Sequence, residues 1–133
     1  MENRIFSYEV VIKEHHLDTF GHVNNATYLQ LYEEARWELI TQNGYGLSKV
    51  METKMGPVIL EINVRFIKEL RLREVVQIHS QTKEYDSKVG IIKQWMTDSK
   101  GNVCSEIELK FGLFDTKNRK MIDPTEEWLK AIT

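Results

Sequence analysis

The sequence has few cysteines, no long apolar run and no excess of positive charge, as is typical of small globular proteins. Its single cysteine, Cys104, excludes an intrachain disulfide and suits a reducing compartment. No apolar run approaches the length of a membrane-spanning helix, and the N-terminus has no apolar signal-peptide core. A net charge of -2 lacks the basic surplus of typical nucleic-acid-binding proteins. We therefore expect a cytoplasmic protein without a membrane span and without a nucleic-acid partner.

Proline is also scarce, and nothing in the chain has the composition of an interdomain linker. The 133 residues include two prolines, and the chain contains no repeat and no low-complexity segment. The length fits one domain, and an apolar content of 41% is ordinary for a globular protein. The prediction is a single domain over residues 1–133.

The spacing of apolar residues predicts five strands and two helices. Alternation with period two, which is typical of half-buried strands, occurs at residues 5–13, 58–66 and 103–113, and residues 75–85 and 89–98 are predicted to be further strands. Helical spacing runs from about residue 26 to residue 42, with Asn24 or Asn25 as the N-cap. A short terminal helix is predicted to begin at Pro124, with Asp123 as its N-cap. Residues 14–25 and 44–57 are predicted to be loops.

This order of elements predicts an α+β fold. Consecutive strands joined by short turns pair in antiparallel fashion. The long helix is apolar on more than one side, so it needs to be covered by the sheet and by something else. We predict a curved antiparallel sheet of about five strands wrapped around one long central helix. Such a sheet has exposed edges, and pairing with a second copy of the chain is a natural way to cover them.

The segment before the long helix contains the residues best suited to chemistry. Asp18 lies in a polar loop, and Gly21 allows the backbone to turn sharply or to approach a ligand closely. The first amides of the following helix have no internal partner, and the helix dipole adds partial positive charge there. A thioester carbonyl directed at these amides would be polarised. Asp18, which is ionised at neutral pH, would attack the carbonyl carbon or activate a water molecule.

The same segment resembles a known family. Its motif is Asp18-x-x-Gly21-His22-Val23-Asn24-Asn25-x-x-Tyr28, with Glu34 and Arg36 further along the helix. This resembles the hotdog-fold acyl-CoA thioesterases, including the 4-hydroxybenzoyl-CoA thioesterase group and the bacterial relatives associated with the Tol-Pal system. The His-Val-Asn-Asn-x-x-Tyr part is similar to acyl-ACP thioesterases. The resemblance implies a hotdog fold, hydrolysis of an acyl-CoA or acyl-carrier-protein thioester, and a homodimer or homotetramer. Coenzyme A would then be part of the substrate and product, and the resemblance implies no separate cofactor.

The resemblance also implies roles for particular residues. Asp18 matches the catalytic aspartate, the backbone amide of Asn25 matches the one that faces the carbonyl, and Tyr28 matches a tyrosine on the inner face of the helix. His22 fits the histidine of the acyl-ACP enzymes. The Tol-Pal relatives usually have Tyr-His in place of Asn24-Asn25, so their helix-start histidine is absent here.

Four further residues are candidates for substrate binding. Val58 is expected to help shape the acyl pocket. Glu34 is expected either to hydrogen-bond the active-site loop, to line the pocket mouth, or to be a solvated helix residue. Lys68 and Lys88 are candidates to bind the phosphates of coenzyme A, because the nucleotide of the resembling family lies along this region; the alternative is a solvated turn.

Other kinds of site are disfavoured. His15, His16 and Asp18 are too close in sequence to form a metal site, because adjacent side chains point apart. The chain has no Gly-x-Ser-x-Gly elbow, and Cys104 has no activating base beside it in the sequence. The alternative to a hydrolase is a non-catalytic module that binds acyl-CoA or an acyl carrier protein in the same pocket, for which Asp18 would not be needed. A hydratase on the same fold is a weaker third alternative.

Overall fold

A computed structural model describes residues 2–133. Six strands and three α-helices follow one another along the chain, with one turn of 3-10 helix at Glu14–His16. The elements are β1 (Phe6–Val11), α1 (Asn25–Gln42), α2 (Leu47–Thr53), β2 (Met55–Phe66), β3 (Val75–Asp86), β4 (Val89–Thr97), β5 (Val103–Asp115), β6 (Lys120–Ile122) and α3 (Glu126–Ile132). All strand pairs are antiparallel, in the order β1-β3-β4-β5-β2, with β6 beside β5.

The helix α1 packs along the inner face of this sheet, as the α+β prediction requires. Its buried side chains include Tyr28, Tyr32, Ala35 and Leu39, and they meet buried residues of β3, β4 and β5. The N-cap is Asn24, whose side-chain oxygen accepts a hydrogen bond of 2.8 Å from the amide of Ala26. The prediction of a curved antiparallel sheet around one long helix is therefore confirmed.

Two short elements were not predicted. Helix α2 occupies part of the predicted loop 44–57; its N-cap is Gly46, which has no side chain to signal a helix start, and seven residues are too few to establish a period. Strand β6 pairs with the last three residues of β5, from Leu113 to Asp115, beyond the point where β4 begins. The 13-residue β5 is longer than β4, so its end was free to pair with a short returning segment.

The predicted start of the terminal helix is wrong by two residues. The N-cap is Thr125, whose hydroxyl oxygen accepts a hydrogen bond of 3.2 Å from the amide of Trp128. Asp123 and Pro124 therefore precede α3. Asp123 and Thr125 are both residues that often cap helices, and the sequence alone did not show which of them is the N-cap.

Strand β2 contains a bulge that changes which residues face α1. The register with β5 shifts between Ile59 and Glu61, so one extra residue is inserted into β2. Before the bulge Pro57 and Ile59 face the helix; after it the inner face passes to residues 62, 64 and 66. The continuous alternation predicted over residues 58–66 is therefore wrong: Val58 and residues 62, 64 and 66 lie on opposite faces, because simple alternation does not continue through a bulge.

Candidate active site

The loop between β1 and α1 is a compact turn that presents Asp18. Leu17 and Val23 form an isolated antiparallel bridge that closes the loop. Inside it the amide of Asp18 donates to the carbonyl of His22 at 2.8 Å, and the amide of Gly21 donates to the carbonyl of Asp18 at 3.1 Å. Gly21 has φ of +79°, a left-handed conformation that glycine adopts without strain. The predicted role of Gly21 in a sharp turn is therefore confirmed.

The two carboxylate oxygens of Asp18 have different surroundings. Oδ1 accepts hydrogen bonds from the amides of Phe20, at 2.9 Å, and His22, at 3.1 Å. Oδ2 accepts none from residues 2–133, and the side chain is exposed. One oxygen thus fixes the loop, and the other is available to a substrate or a water molecule.

The start of α1 offers an unpaired donor. The carbonyl of Asn24 accepts from the amides of Thr27 and Tyr28, and its side chain accepts from that of Ala26. The amide of Asn25 donates to no atom of the described chain. It lies at the positive end of an 18-residue helix, so an oxygen that develops negative charge would be stabilised there.

An open groove of about 320 Å³ borders this helix start. Its walls are Val23, Asn25, Tyr28 and residues 66–69. Tyr28 is 6% exposed and meets the ring of Phe66 edge-on, with the ring centroids 5.0 Å apart. Burial raises the pKa of the Tyr28 phenol, so its hydroxyl stays protonated at neutral pH. The structure thus brings Asn25 and Tyr28 together with Lys68 at one end of the sheet.

Both His22 and Lys68 are already paired with carboxylates. The Nε2 atom of His22 lies 3.0 Å from an oxygen of Glu69, and both side chains are more than half exposed. The Nζ atom of Lys68 lies 2.7 Å from Oδ2 of Asp98, whose side chain is 2% exposed. The ammonium group and the amides of the β4–β5 turn lower the pKa of Asp98 well below its usual range, while Asp98 raises the pKa of Lys68. The charge of Lys68 is therefore largely offset within the chain.

Glu34 lies on the side of α1 that faces β1. Its carboxylate accepts a hydrogen bond of 2.7 Å from the hydroxyl of Tyr8. This hydrogen bond raises the pKa of Tyr8 to about 12. Of the three alternatives for Glu34, the structure favours the solvated helix residue, because the side chain is exposed; its hydrogen bond goes to a strand, not to the Asp18 loop, and Glu34 does not line the groove at Asn25.

Val58 and Lys88 lie at the opposite end of the sheet from Asp18. The Asp18 loop follows β1, whose last residue pairs with Val75 at the start of β3. Lys88 lies in the turn after the end of β3, and a strand of 12 residues spans roughly 36 Å. Val58 pairs with Gly112, close to the β3–β4 turn. One copy of the chain therefore does not bring these two residues to Asp18.

A second cavity, of about 210 Å³, was not predicted from the sequence. It lies between α1, the sheet and α3, and its walls are mainly apolar. Arg36 contributes a half-buried guanidinium group, which donates a hydrogen bond of 2.8 Å to the fully buried Gln94. Burial lowers the pKa of Arg36 to about 10, so it remains charged at neutral pH. The sequence did contain an indication of this cavity. Glu33, Arg36 and Ile40 lie on one side of α1, and two charged residues are not expected on a side that packs only against the core.

No helix within residues 2–133 is long and apolar enough to cross a membrane. No three or more His, Cys, Asp or Glu side chains of these residues form a group suited to a metal ion. Cys104 is fully buried, and burial raises the pKa of its thiol, which disfavours the reactive thiolate.

Comparisons with known proteins show which family the chain belongs to. The profile of the Thioesterase-like superfamily matches residues 12–132. The long-chain acyl-CoA thioesterase FadM of Escherichia coli strain K12 is 30% identical over 115 residues, covering 86% of each chain. The crystal structure of YbaW, a probable thioesterase from Escherichia coli, superimposes with a TM-score of 0.82 at 27% identity over 94% of both chains.

A more distant structure shows the same fold. The hypothetical protein SAV2348 from Staphylococcus aureus, solved in complex with CoA, has a TM-score of 0.89 at 18% identity, covering 98% of this chain and 83% of its own. The profile match extends over most of the sequence, and it includes the Asp18 loop, α1 and the whole sheet from β2 onward. The chain therefore belongs to the thioesterase-like superfamily, and it is a hotdog-fold thioesterase.

Proposed function

We propose that this thioesterase hydrolyses acyl-CoA to a free acid and coenzyme A at the Asp18 loop. The observation that carries the proposal is that the two carboxylate oxygens of Asp18 have different hydrogen-bond partners. Oδ1 of Asp18 is bound by two backbone amides, and Oδ2 is free in the loop that precedes a helix whose first amide, that of Asn25, is unpaired. Mere binding of a thioester requires no such carboxylate. The acyl-CoA substrate is supported by the 30% identity to FadM, a long-chain acyl-CoA thioesterase.

Two chemical routes use the same atoms. In both, the thioester oxygen accepts a hydrogen bond from the amide of Asn25, and the carbon–sulfur bond breaks to release the thiolate of coenzyme A, which takes a proton. As a general base, Asp18 removes a proton from water, and the resulting hydroxide attacks the carbonyl carbon. As a nucleophile, Asp18 forms an acyl anhydride, which a water molecule then hydrolyses to acid and free carboxylate.

Three further candidates lie on α1 or in the loop before it. Tyr28 lines the groove, and His22 contacts one of the groove-lining residues, Glu69. A long acyl chain is favoured as the substrate, because the side of α1 next to β2 leads from Asn25 to the apolar cavity. Glu34 lies on the opposite side of the helix, where its carboxylate accepts a hydrogen bond from the hydroxyl of Tyr8.

We further propose that a homodimer forms through the edge strand β2. This strand has apolar side chains exposed on both faces, with Ile59 at 37%, Leu60 at 46% and Ile62 at 41%. A two-fold axis near the middle of β2 would set the Lys88 and Val58 end of one copy against the Asp18 end of the other. Lys88, which forms no ion pair within residues 2–133, would then bind phosphates of coenzyme A more readily than the paired Lys68. We also propose that two such dimers form a tetramer and that the enzyme is cytoplasmic.

The test is thiol release, measured with a thiol-reactive dye over a panel of acyl-CoAs of increasing chain length and a matched acyl carrier protein. We expect release from acyl-CoA with saturation kinetics. Tight binding without release would support the non-catalytic alternative and contradict the proposal. Release from the carrier protein alone would keep the hydrolase and change its substrate. Single turnover in ¹⁸O-labelled water separates the routes, because only the nucleophilic one transfers label into the Asp18 carboxylate.

A further inference from the structure

The cavity between α1 and α3 has a partly exposed mouth and a buried inner end. Around the mouth lie Glu33, Trp37, Pro57 and Ile59, all of which are partly or largely exposed. The inner end is formed by side chains that are at most 5% exposed: Leu39, Ile40, Ile92, Phe111, Trp128 and Ile132. The cavity thus opens toward β2 and closes toward α3.

One side of α1, which carries both apolar and polar residues, runs from the helix start to this cavity. Asn25, Leu29, Arg36 and Ile40 are spaced by four, seven and four residues, which places them on one side of a helix. Arg36 is 11 residues beyond Asn25, or about 16 Å along the axis. After its bulge, β2 borders the same side with the apolar residues at positions 62, 64 and 66. The groove at Asn25 and the cavity therefore lie along the same side of α1, and residues of β2 border both.

We infer that α3 closes the acyl channel and that Ile132 and Trp128 set the longest acyl chain that the enzyme accepts. The occupant of the cavity is the acyl chain of the thioester, so this inference rests on the proposed function. Trp128 and Ile132 are four residues apart and share one face of α3. They are 2% and 3% exposed, and both line the inner end of the cavity.

The inner wall is well supported, as a length limit requires. The ring of Trp128 meets Tyr45 and Phe111 edge-on, with centroid distances of 5.1 Å and 6.3 Å. Ile132 is fixed through its backbone, because its carbonyl accepts a hydrogen bond of 2.7 Å from the hydroxyl of Thr82. Its side chain can therefore be exchanged without removing that hydrogen bond. Packed interiors resist added atoms, so a chain that is too long meets a steep penalty.

Chain-length profiles test the inference directly. The ratio of kcat/KM values for saturated acyl-CoAs is measured in steps of two carbons for the wild type, Ile132→Ala and Ile132→Phe. Ile132→Ala removes three carbons from the wall, and we expect the longest accepted chain to increase by about two carbons. Each methylene group buried in the new space should favour binding about fourfold. Ile132→Phe should shorten the limit.

The matched control is Leu129→Ala, on the same helix, because Leu129 does not line the cavity. Its profile should match the wild type. If the profiles of both Ile132 variants also match the wild type, while short chains are still hydrolysed, the inference is wrong and the proposed function stands. If the wild type hydrolyses no acyl-CoA of any length, the proposed function itself fails.

A crosslinking measurement does not depend on the stability of an α3 variant. Acyl-CoAs with a photoreactive diazirine at the terminal carbon are bound to Asp18→Asn, which should retain them unhydrolysed, and the labelled peptides are identified by mass spectrometry. Chains near the length limit should label residues 126–132, and shorter ones should label α1 around Trp37. Absence of label from residues 126–132 at every chain length would overturn the inference.

Discussion

Replacement of Asp18 by asparagine separates the catalytic role of this carboxylate from its role in holding the loop together. In the structure Oδ1 accepts from the amides of Phe20 and His22, at 2.9 Å and 3.1 Å, and Oδ2 is free. Asparagine keeps an oxygen that can accept both hydrogen bonds, and it replaces Oδ2 by an NH₂ group. That group can neither take a proton from water nor attack a carbonyl carbon. We therefore expect Asp18→Asn to fold normally and to lose most of its activity.

The two effects differ greatly in size. A positioned general base typically contributes about 10²- to 10⁴-fold to a rate, so kcat should fall at least by about 100-fold. The two hydrogen bonds lose a charged acceptor, and hydrogen bonds to charged groups contribute roughly 1 kcal/mol more than neutral ones. Because the loop is exposed, water replaces much of that loss, and we expect the free energy of unfolding to fall by about 1 kcal/mol or less. A change this small leaves the protein folded during an assay.

The measurement combines thiol release with urea unfolding on the same preparations. Asp18→Ala serves as the comparison, because it removes the catalytic oxygen and both acceptors; it should be as inactive as Asp18→Asn and less stable. An intact-mass check excludes deamidation of the new asparagine. If Asp18→Asn retained nearly wild-type kcat and stability, the carboxylate would be only a turn residue, and the catalytic assignment would be refuted.

Three further outcomes are expected. Arg36→Ala should lower the free energy of unfolding in urea by about 1–3 kcal/mol, because the buried Gln94 oxygen loses its donor; an unchanged value would contradict a structural role for that hydrogen bond. Because Lys68 and the turn amides lower the pKa of Asp98, its carboxylate should stabilise the fold fully above pH 4 and less as pH falls further; the stability gap to Asp98→Asn should narrow in acid, and a constant gap from pH 7 to pH 2 would refute this. If the proposed dimer forms through β2, the wild type should sediment as a dimer and Ile62→Lys as a monomer in sedimentation velocity; a dimer of Ile62→Lys would exclude pairing through β2.

Much of the fold follows from apolar periodicity alone. The strand β4 alternates cleanly because one of its faces packs against α1, and the predicted bounds of β3, β4 and β5 agree closely with the structure. Elements whose stability comes from tertiary contacts could not be predicted in this way. Helix α2 has no capping side chain, and β6 consists of three residues paired to the overhang of β5. Both depend on neighbours that are distant in sequence.

The candidate site was predictable where it is local and not where it is assembled from distant parts. Asp18, Gly21 and Asn25 lie within eight residues, so a motif is enough to associate them. The pairs His22–Glu69 and Lys68–Asp98 join residues 47 and 30 positions apart, respectively, and no local pattern indicates them. They matter because they offset charges that a sequence would otherwise leave free for a phosphate.

The bulge in β2 bears on two proposed roles of that strand, which are to border the acyl chain and to pair with a second copy. A strand with strict alternation would turn one set of residues toward α1 along its whole length, and the opposite set would be left to solvent or to the charged face of the sheet. The extra residue between Ile59 and Glu61 lets apolar side chains face α1 on both sides of the bulge, while Glu61 and Arg65 pair with Lys110 and Glu106 of β5 on the outer face. The helix-facing row thus borders both the groove at Asn25 and the cavity beside α3, which together form the proposed acyl path. Because β2 is also the sheet edge, the same row is incompletely covered in one chain, and a second copy that pairs with β2 would close the path from the side. The bulge therefore gives a physical reason why acyl binding and dimer formation would depend on the same strand.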